Sequence, residues 1–138
     1  MDEPVWVRHD VVLAIHRLQL AEHGGSDGVR DDGLLDSALA RAKYRYAYTD
    51  PRPDLATLAA SYAYGLSSNH PFVDGNKRTS LVVCRTFLAL NDCRFEAPQA
   101  ELYESFLSLA RGDLGEDQLA AWIRRHLNPS PSPEDHHS

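Results

Sequence analysis

The chain has 138 residues, 43% hydrophobic and 25% charged, with a formal net charge of −6 at pH 7. That length fits one domain able to bury about two-thirds of its unfolded surface in a single core, and the acidic balance argues against direct nucleic-acid binding, which Lys and Arg drive by displacing counterions. Cys84 and Cys93 are not spaced as C-x-x-C, Met1 to Pro4 has no basic or apolar leader, and no run of about 18 apolar residues occurs, so reduced thiols, a cytoplasmic location and no membrane contact are expected.

In chain order, Val11, Ala14, Ile15 and Leu18 recur at helical intervals and predict a first helix from about Asp10 to His23, ended by Gly24-Gly25. Asp31 or Asp32 can cap a second, with Leu35, Ala38, Leu39 and Ala42 on its apolar face. Tyr44, Tyr46 and Tyr48 then alternate with other residues before the turn residues Thr49 to Pro53, a period of two that predicts a short extended flap. Pro53-Asp54 opens a third helix carrying Leu55, Leu58, Ala59, Tyr62 and Leu66 and closing near Ser67 to Asn69.

A Gly- and Asn-rich loop follows, and after it Leu81, Val82, Cys84, Arg85, Phe87 and Leu88 line a helix expected to be central and buried, stopping at Asn91-Asp92. Pro98 fits the first turn of a helix ending at Gly112, and Gly115 to Leu127 makes a last one with Leu119, Trp122, Ile123 and His126. Strand signal is nearly absent, and the short connections predict a compact all-α bundle over residues 1–127. From 128 to 138 the alternating Pro and Ser predict a disordered tail.

The chemistry concentrates in the loop His70-Pro71-Phe72-Val73-Asp74-Gly75-Asn76-Lys77-Arg78. It leads into a helix, whose first N–H groups lack partners and favour an anion. His70 can exchange a proton near neutral pH as general acid or base. Asp74 offers oxygen to a hard cation such as Mg²⁺, which uses one or two carboxylates and fills its shell with phosphate and water; the simpler role is a helix N-cap. Gly75 permits close backbone approach and Asn76 can turn its amide inward, although the pair is also an ordinary turn. Lys77 and Arg78 supply two cations about 100° apart around a helix, so they need not share one target. Phe72 most simply anchors the loop in the core and so fixes His70. His9, His16 and His23 are spaced by seven, but two helical turns span about 10.5 Å, too far for one metal ion.

The nine-residue segment resembles the signature of the Fic/Doc superfamily: His-Pro-Phe, a variable residue, Asp or Glu, Gly or Ala, Asn, Gly or Lys, then Arg. Adenylyl-transferring members have Gly at the eighth position, whereas this chain has Lys77, as do the death-on-curing (Doc) toxins of toxin–antitoxin pairs. Val29-Arg30-Asp31, Leu34 to Leu39, Phe87 to Asn91 and Ala110 to Asp113 resemble the usual flanks, so the likeness covers roughly residues 5 to 127. It implies a Fic-like helical bundle with the active loop between two central helices. It also implies catalysis by His70, Asp74, Lys77 and Arg78, phosphate contacts from Gly75, Asn76, Lys77 and Arg78, Mg²⁺ on Asp74, and target docking by the Tyr44-Tyr46-Tyr48 flap.

The Doc branch implies an ATP-dependent protein Ser/Thr kinase that phosphorylates a threonine of elongation factor Tu and arrests translation. A long cation at position 77 fills space where an adenylyl transferase would place further phosphate, so the nucleotide is expected to bind reversed. Attack then falls on the terminal phosphorus. The alternatives are a nucleotidyl transferase that tolerates Lys77 and a catalytically silent binding scaffold. Self-restrained Fic proteins carry Ser or Thr, three variable residues, Glu, then Gly or Asn; no such run occurs here, which implies a separate cognate antitoxin that folds into a surface groove.

Overall fold

The computed structural model describes residues 3–129. Its elements are α1 (His9–His23), α2 (Asp32–Tyr48), α3 (Leu55–Asn69), α4 (Asn76–Leu90), β1 (Cys93–Phe95), α5 (Gln99–Arg111), α6 (Glu116–Arg125) and β2 (Leu127–Pro129). None of these helices is long and apolar enough to cross a membrane. The fold is all-α apart from the two short strands, which pair antiparallel with Phe95 opposite Leu127 and Cys93 opposite Pro129. Three-residue strands carry too little periodicity to announce themselves in sequence. Asn128 and Pro129, expected in the tail, belong to β2, and the rest of that tail lies outside the described residues.

Of the two central helices that flank the loop, α3 is the more deeply buried. Asp54 caps α3, its carboxylate accepting from Thr57 N–H at 2.9 Å, and the Ala-rich sequence that follows has high helix propensity. Its buried residues run from Ala56 to Ser67 on nearly every face, the pattern of a helix packed all round. The neighbours of α3 are α2, α4, α6 and, less extensively, α5, while α1 lies on α4. Gly65 allows the closest approach, since a Cβ there would stand 3.0 Å from the Ala38 carbonyl oxygen of α2. By contrast α4 buries one stripe, including Val83, Cys84, Phe87 and Leu88, and leaves Arg85 and Leu90 exposed.

Ion pairs hold α6 to the bundle, Arg45 of α2 lying 3.1 Å from Glu116 and 3.8 Å from Asp117 beside the two shortest. Glu116 accepts from Arg41 Nε and Nη2 at 3.0 and 2.7 Å, and Arg124 reaches the Asp54 carboxylate at 2.7 Å. Arg124 holds the Asp54 carboxyl well below the usual carboxylate range, against the effect of partial burial. For Glu116, burial pushes the pKa up, but the hydrogen bonds and charges of its partners, Arg41 foremost, outweigh it and leave the pKa lowered.

Two expectations are corrected. On α1 the buried face is Val12, Ile15 and His16, whereas Val11 and Leu18 are exposed; a polar side chain on the inner face shifts the apparent apolar stripe. The tyrosine flap is not extended. Tyr44, Tyr46 and Tyr48 form the last turns of α2, with Tyr46 buried against Trp6 and Tyr44 and Tyr48 exposed on another face, their rings 5.3 Å apart. Residues i and i+4 share a helix face, so this spacing suits a helix as well as a strand, and the intervening Arg45 and Ala47 favour the helix.

Candidate active site

The loop between α3 and α4 begins where His70 turns left-handed, with φ 48° and ψ 54°. That region is costly for a side chain with a Cβ, on the order of 1–2 kcal/mol, so it persists only if neighbours enforce it. Arg30 supplies part of that restraint: its guanidinium donates to the His70 carbonyl at 2.7 Å and to the Asn69 carbonyl at 2.9 Å, satisfying the open end of α3. The connection between α1 and α2 runs along the loop as a strap. Arg30 N–H donates to Pro71 O at 2.7 Å, Val73 N–H donates to Gly28 O at 3.0 Å, and Val29 bridges Phe72 antiparallel.

Asn76 closes the loop from the other side. It is buried, its Oδ1 accepts from Phe72 N–H at 3.0 Å, and its Nδ2 donates to Phe72 O at 2.9 Å. The same nitrogen stands 3.2 Å from His70 Nδ1. Both oxygen and nitrogen of this amide are therefore assigned, and its second N–H faces the imidazole. These contacts turn the side chain toward His70, which it orients. With Nδ1 accepting, a neutral His70 carries its proton on Nε2.

Asp74 is exposed, and its Oδ2 accepts from Ser26 N–H at 2.8 Å. Its other oxygen has no hydrogen bond among the described residues and is open to a cation. No group of three or more His, Cys, Asp or Glu among those residues is placed to hold a metal ion, which also disposes of His9, His16 and His23 as one site. A single carboxylate fits Mg²⁺ that arrives with nucleotide phosphates and keeps its waters. Gly75 follows with φ 80° as the N-cap of α4, and the first intrahelical bond there is Thr79 N–H to Gly75 O. The N–H groups of Asn76, Lys77 and Arg78 thus have no helical partner, an arrangement that suits an anion.

Lys77 and Arg78, expected to diverge, line one groove of about 220 Å³ together with Gln19 and His23 of α1 and Gln99, Tyr103 and Phe106 of α5. Lys77 Nζ lies 5.9 Å from the centre of the Tyr103 ring. Phe72 is 1% exposed and anchors the loop in the core. That groove takes in Lys77 and Arg78 but not His70, Asp74 or Gly75, which precede them on the same loop, while Tyr44 and Tyr48 belong to the far end of α2. Neither cysteine is suited to nucleophilic chemistry: burial pushes the Cys84 thiol up to about 12 and raises Cys93 as well.

Sequence reasoning missed three supports of this site: Arg30, the Ser26 amide and the buried His16. Arg30 lay within a recognised flank without a role, and a backbone amide has no sequence signal at all.

The Fic/DOC family model matches residues 6–88, the span from the first helix through the strap and the motif to α4. Among curated proteins, the chain is 30% identical over 115 residues to "Protein kinase doc" of Escherichia phage P1, covering 83% of this chain and 89% of that protein. It is 38% identical over 102 residues to "Toxin Doc" of Mycolicibacterium smegmatis (strain ATCC 700084 / mc(2)155), covering 71% of this chain and 77% of that one. The family model takes in the strap and the α3–α4 loop as well as the helices that carry them, and the chain belongs to the Fic/DOC family.

Proposed function

We propose that this protein is the toxin of a toxin–antitoxin pair, a kinase that moves the terminal phosphate of ATP to a Ser or Thr hydroxyl of a translation factor, elongation factor Tu being the expected target. The observation that carries the proposal is Lys77 beside Arg78 on one groove at the start of α4. A flexible cation there takes room that a Gly would leave to a triphosphate tail, and it favours a nucleotide whose terminal phosphorus meets the acceptor. The names of the two relatives, a protein kinase and a toxin, agree with this.

The catalytic task divides among residues of the one segment from His70 to Arg78. Unpaired N–H groups of Asn76 to Arg78 and the two cations hold phosphate oxygens as charge spreads over them, the principal demand of phosphoryl transfer. Asp74 would hold Mg²⁺, which when bound would neutralise charge on the phosphates. His70, kept by Asn76 with its proton on Nε2, suits donation to a phosphoryl oxygen. In a loose transition state the acceptor proton departs late, passing to an oxygen of the transferred phosphoryl group as ADP leaves, and the His70 Nε2–H steadies that group by a hydrogen bond rather than stripping the hydroxyl at the outset. A cognate antitoxin is the expected partner of such a toxin in the cytoplasm.

The deciding experiment incubates the pure protein, Mg²⁺ and elongation factor Tu with γ-labelled or α-labelled ATP and weighs the intact factor. Label from the γ position with the mass of one phosphate is expected. Transfer of α label with the mass of an adenylate would replace the kinase with a nucleotidyl transferase, and no modification at all would leave the binding scaffold.

A further inference from the structure

Under the motif loop lies a buried titratable side chain that the proposed chemistry does not employ. His16 of α1 is 2% exposed, and it stacks flat against Phe72, with ring centroids 3.8 Å apart and planes 9° from parallel. Its Nε2 is 2.8 Å from the Asp74 backbone oxygen. A carbonyl can only accept, so Nε2 carries the proton and donates. Gly75 rests on the same ring, since a Cβ built there would stand 3.7 Å from His16 Cδ2 and Nε2. One imidazole therefore registers Phe72, Asp74 and Gly75.

A Leu or Phe of similar size would fill that space without burying polar nitrogens, which are costly to desolvate. The hydrogen bond that offsets the cost goes to the loop. Because the peptide from Asp74 to Gly75 is planar and trans, pinning its carbonyl inward turns the Gly75 N–H the opposite way, out from the core. Ser26 and His16 grip Asp74 at its two ends, one at the carboxylate and one at the main chain.

We infer that His16 is a positioning residue of the active loop: its Nε2–H fixes the Asp74 peptide, and through it the aim of the Asp74 carboxylate and of the amides that open α4. The inference rests on the phosphotransfer proposal for its purpose, but the geometry it describes can be tested apart from activity.

Two full-length variants separate the contributions. His16→Gln places an amide nitrogen near the position of Nε2 and keeps the donor, whereas His16→Phe keeps the flat contact with Phe72 and loses the donor. Mg²⁺·ATP affinity by titration calorimetry and amide hydrogen exchange across residues 72–78 are measured with both. For the Gln variant, affinity within about threefold of wild type is expected; for the Phe variant, affinity weaker by on the order of tenfold and exchange at Gly75 and Asn76 faster by a similar factor. Exchange within α3 should not change in either. A Phe variant indistinguishable from wild type, or a Gln variant no better than Phe, overturns the inference. Should the wild-type protein not bind Mg²⁺·ATP, the kinase proposal fails, while the exchange comparison still decides the role of His16. If the Phe variant does not fold, imidazole nitrogen spectra of the wild type decide: a shielded Nε2–H tautomer at His16 is expected, and an Nδ1–H tautomer excludes the bond.

Discussion

Helix α3 and the loop that leaves it are held by opposite means. Tyr62, Leu58 and Leu66 are 0% exposed and surrounded by apolar side chains, so α3 is fixed by burial that is strong, non-directional and tolerant of small shifts. Four residues past Leu66 the chain adopts a left-handed turn at His70 and is held by hydrogen bonds from Arg30, Asn76, Ser26 and His16. Such bonds contribute only about 1–3 kcal/mol each but specify direction. The lesson is a division of labour: burial places the end of α3, and polar contacts aim the groups beyond it. The two regions should then respond to mutation in opposite ways.

The sharpest break between them pairs His70→Gly with Leu66→Ala. Losing the imidazole should lower phosphate transfer by about 10²–10⁴-fold, while stability stays within about 1 kcal/mol because Gly accepts the left-handed geometry that His resists. Leu66→Ala should remove about 2–5 kcal/mol of stability through lost burial and the cavity left behind, yet the fraction that remains folded should transfer normally. Urea denaturation and γ-label transfer on both variants check the pair. A His70→Gly protein that is both inactive and unfolded would show that the loop also carries the fold.

What could be read from the sequence follows the same division. Asp54 as a cap, Gly112 as a stop and the apolar periodicity of α3 and α6 all announce themselves, because burial writes repeating patterns into a chain. The motif was equally legible as a set of residues, and the inward turn of the Asn76 amide was anticipated, although its contact with His70 was not. What the sequence concealed is polar and non-local. His16 drew notice only for its spacing from His9 and His23, and nothing in that spacing shows that it lies under Phe72. The tyrosines of α2 misled for a different reason, since three alternating residues fit a strand and a helix alike until Trp6 arrives from elsewhere in the chain to bury one of them.

A polar contact outside the loop tests whether direction alone is what such bonds provide. Glu116 is 12% exposed at its side chain and takes both Arg41 nitrogens, so Glu116→Gln should cost about 1.5–3 kcal/mol, the range for hydrogen bonds to charged groups. Both Glu116 and Asp54 have folded pKa values below their ordinary 4.5 and 3.8. Their stabilising contribution is therefore complete above those ordinary values and is lost as pH falls through the lower folded ones. Wild-type stability should decline from about pH 4.5 downward, and the Glu116→Gln protein should decline less steeply over the same range in denaturant titrations. Equal slopes would mean that the ion pair is not what holds α6 against α2.

The smallest effect on stability is expected from Tyr44→Ala combined with Tyr48→Ala. Both rings are exposed, at 65% and 79%, and they pack on each other at the end of α2, so stability should move by no more than about 0.5 kcal/mol. Exposed paired aromatics are nonetheless the side chains that a partner protein most readily buries. As helical residues they can offer a target only side-chain surface, because the backbone of α2 is already hydrogen-bonded within the helix and has no strand edge to lend. If α2 is the docking face, the double variant should bind Mg²⁺·ATP as wild type does while modifying elongation factor Tu more slowly, through a raised KM for the factor rather than a lowered kcat. Unchanged kinetics toward the factor would remove the tyrosines from target recognition altogether and confine function to the loop and its supports.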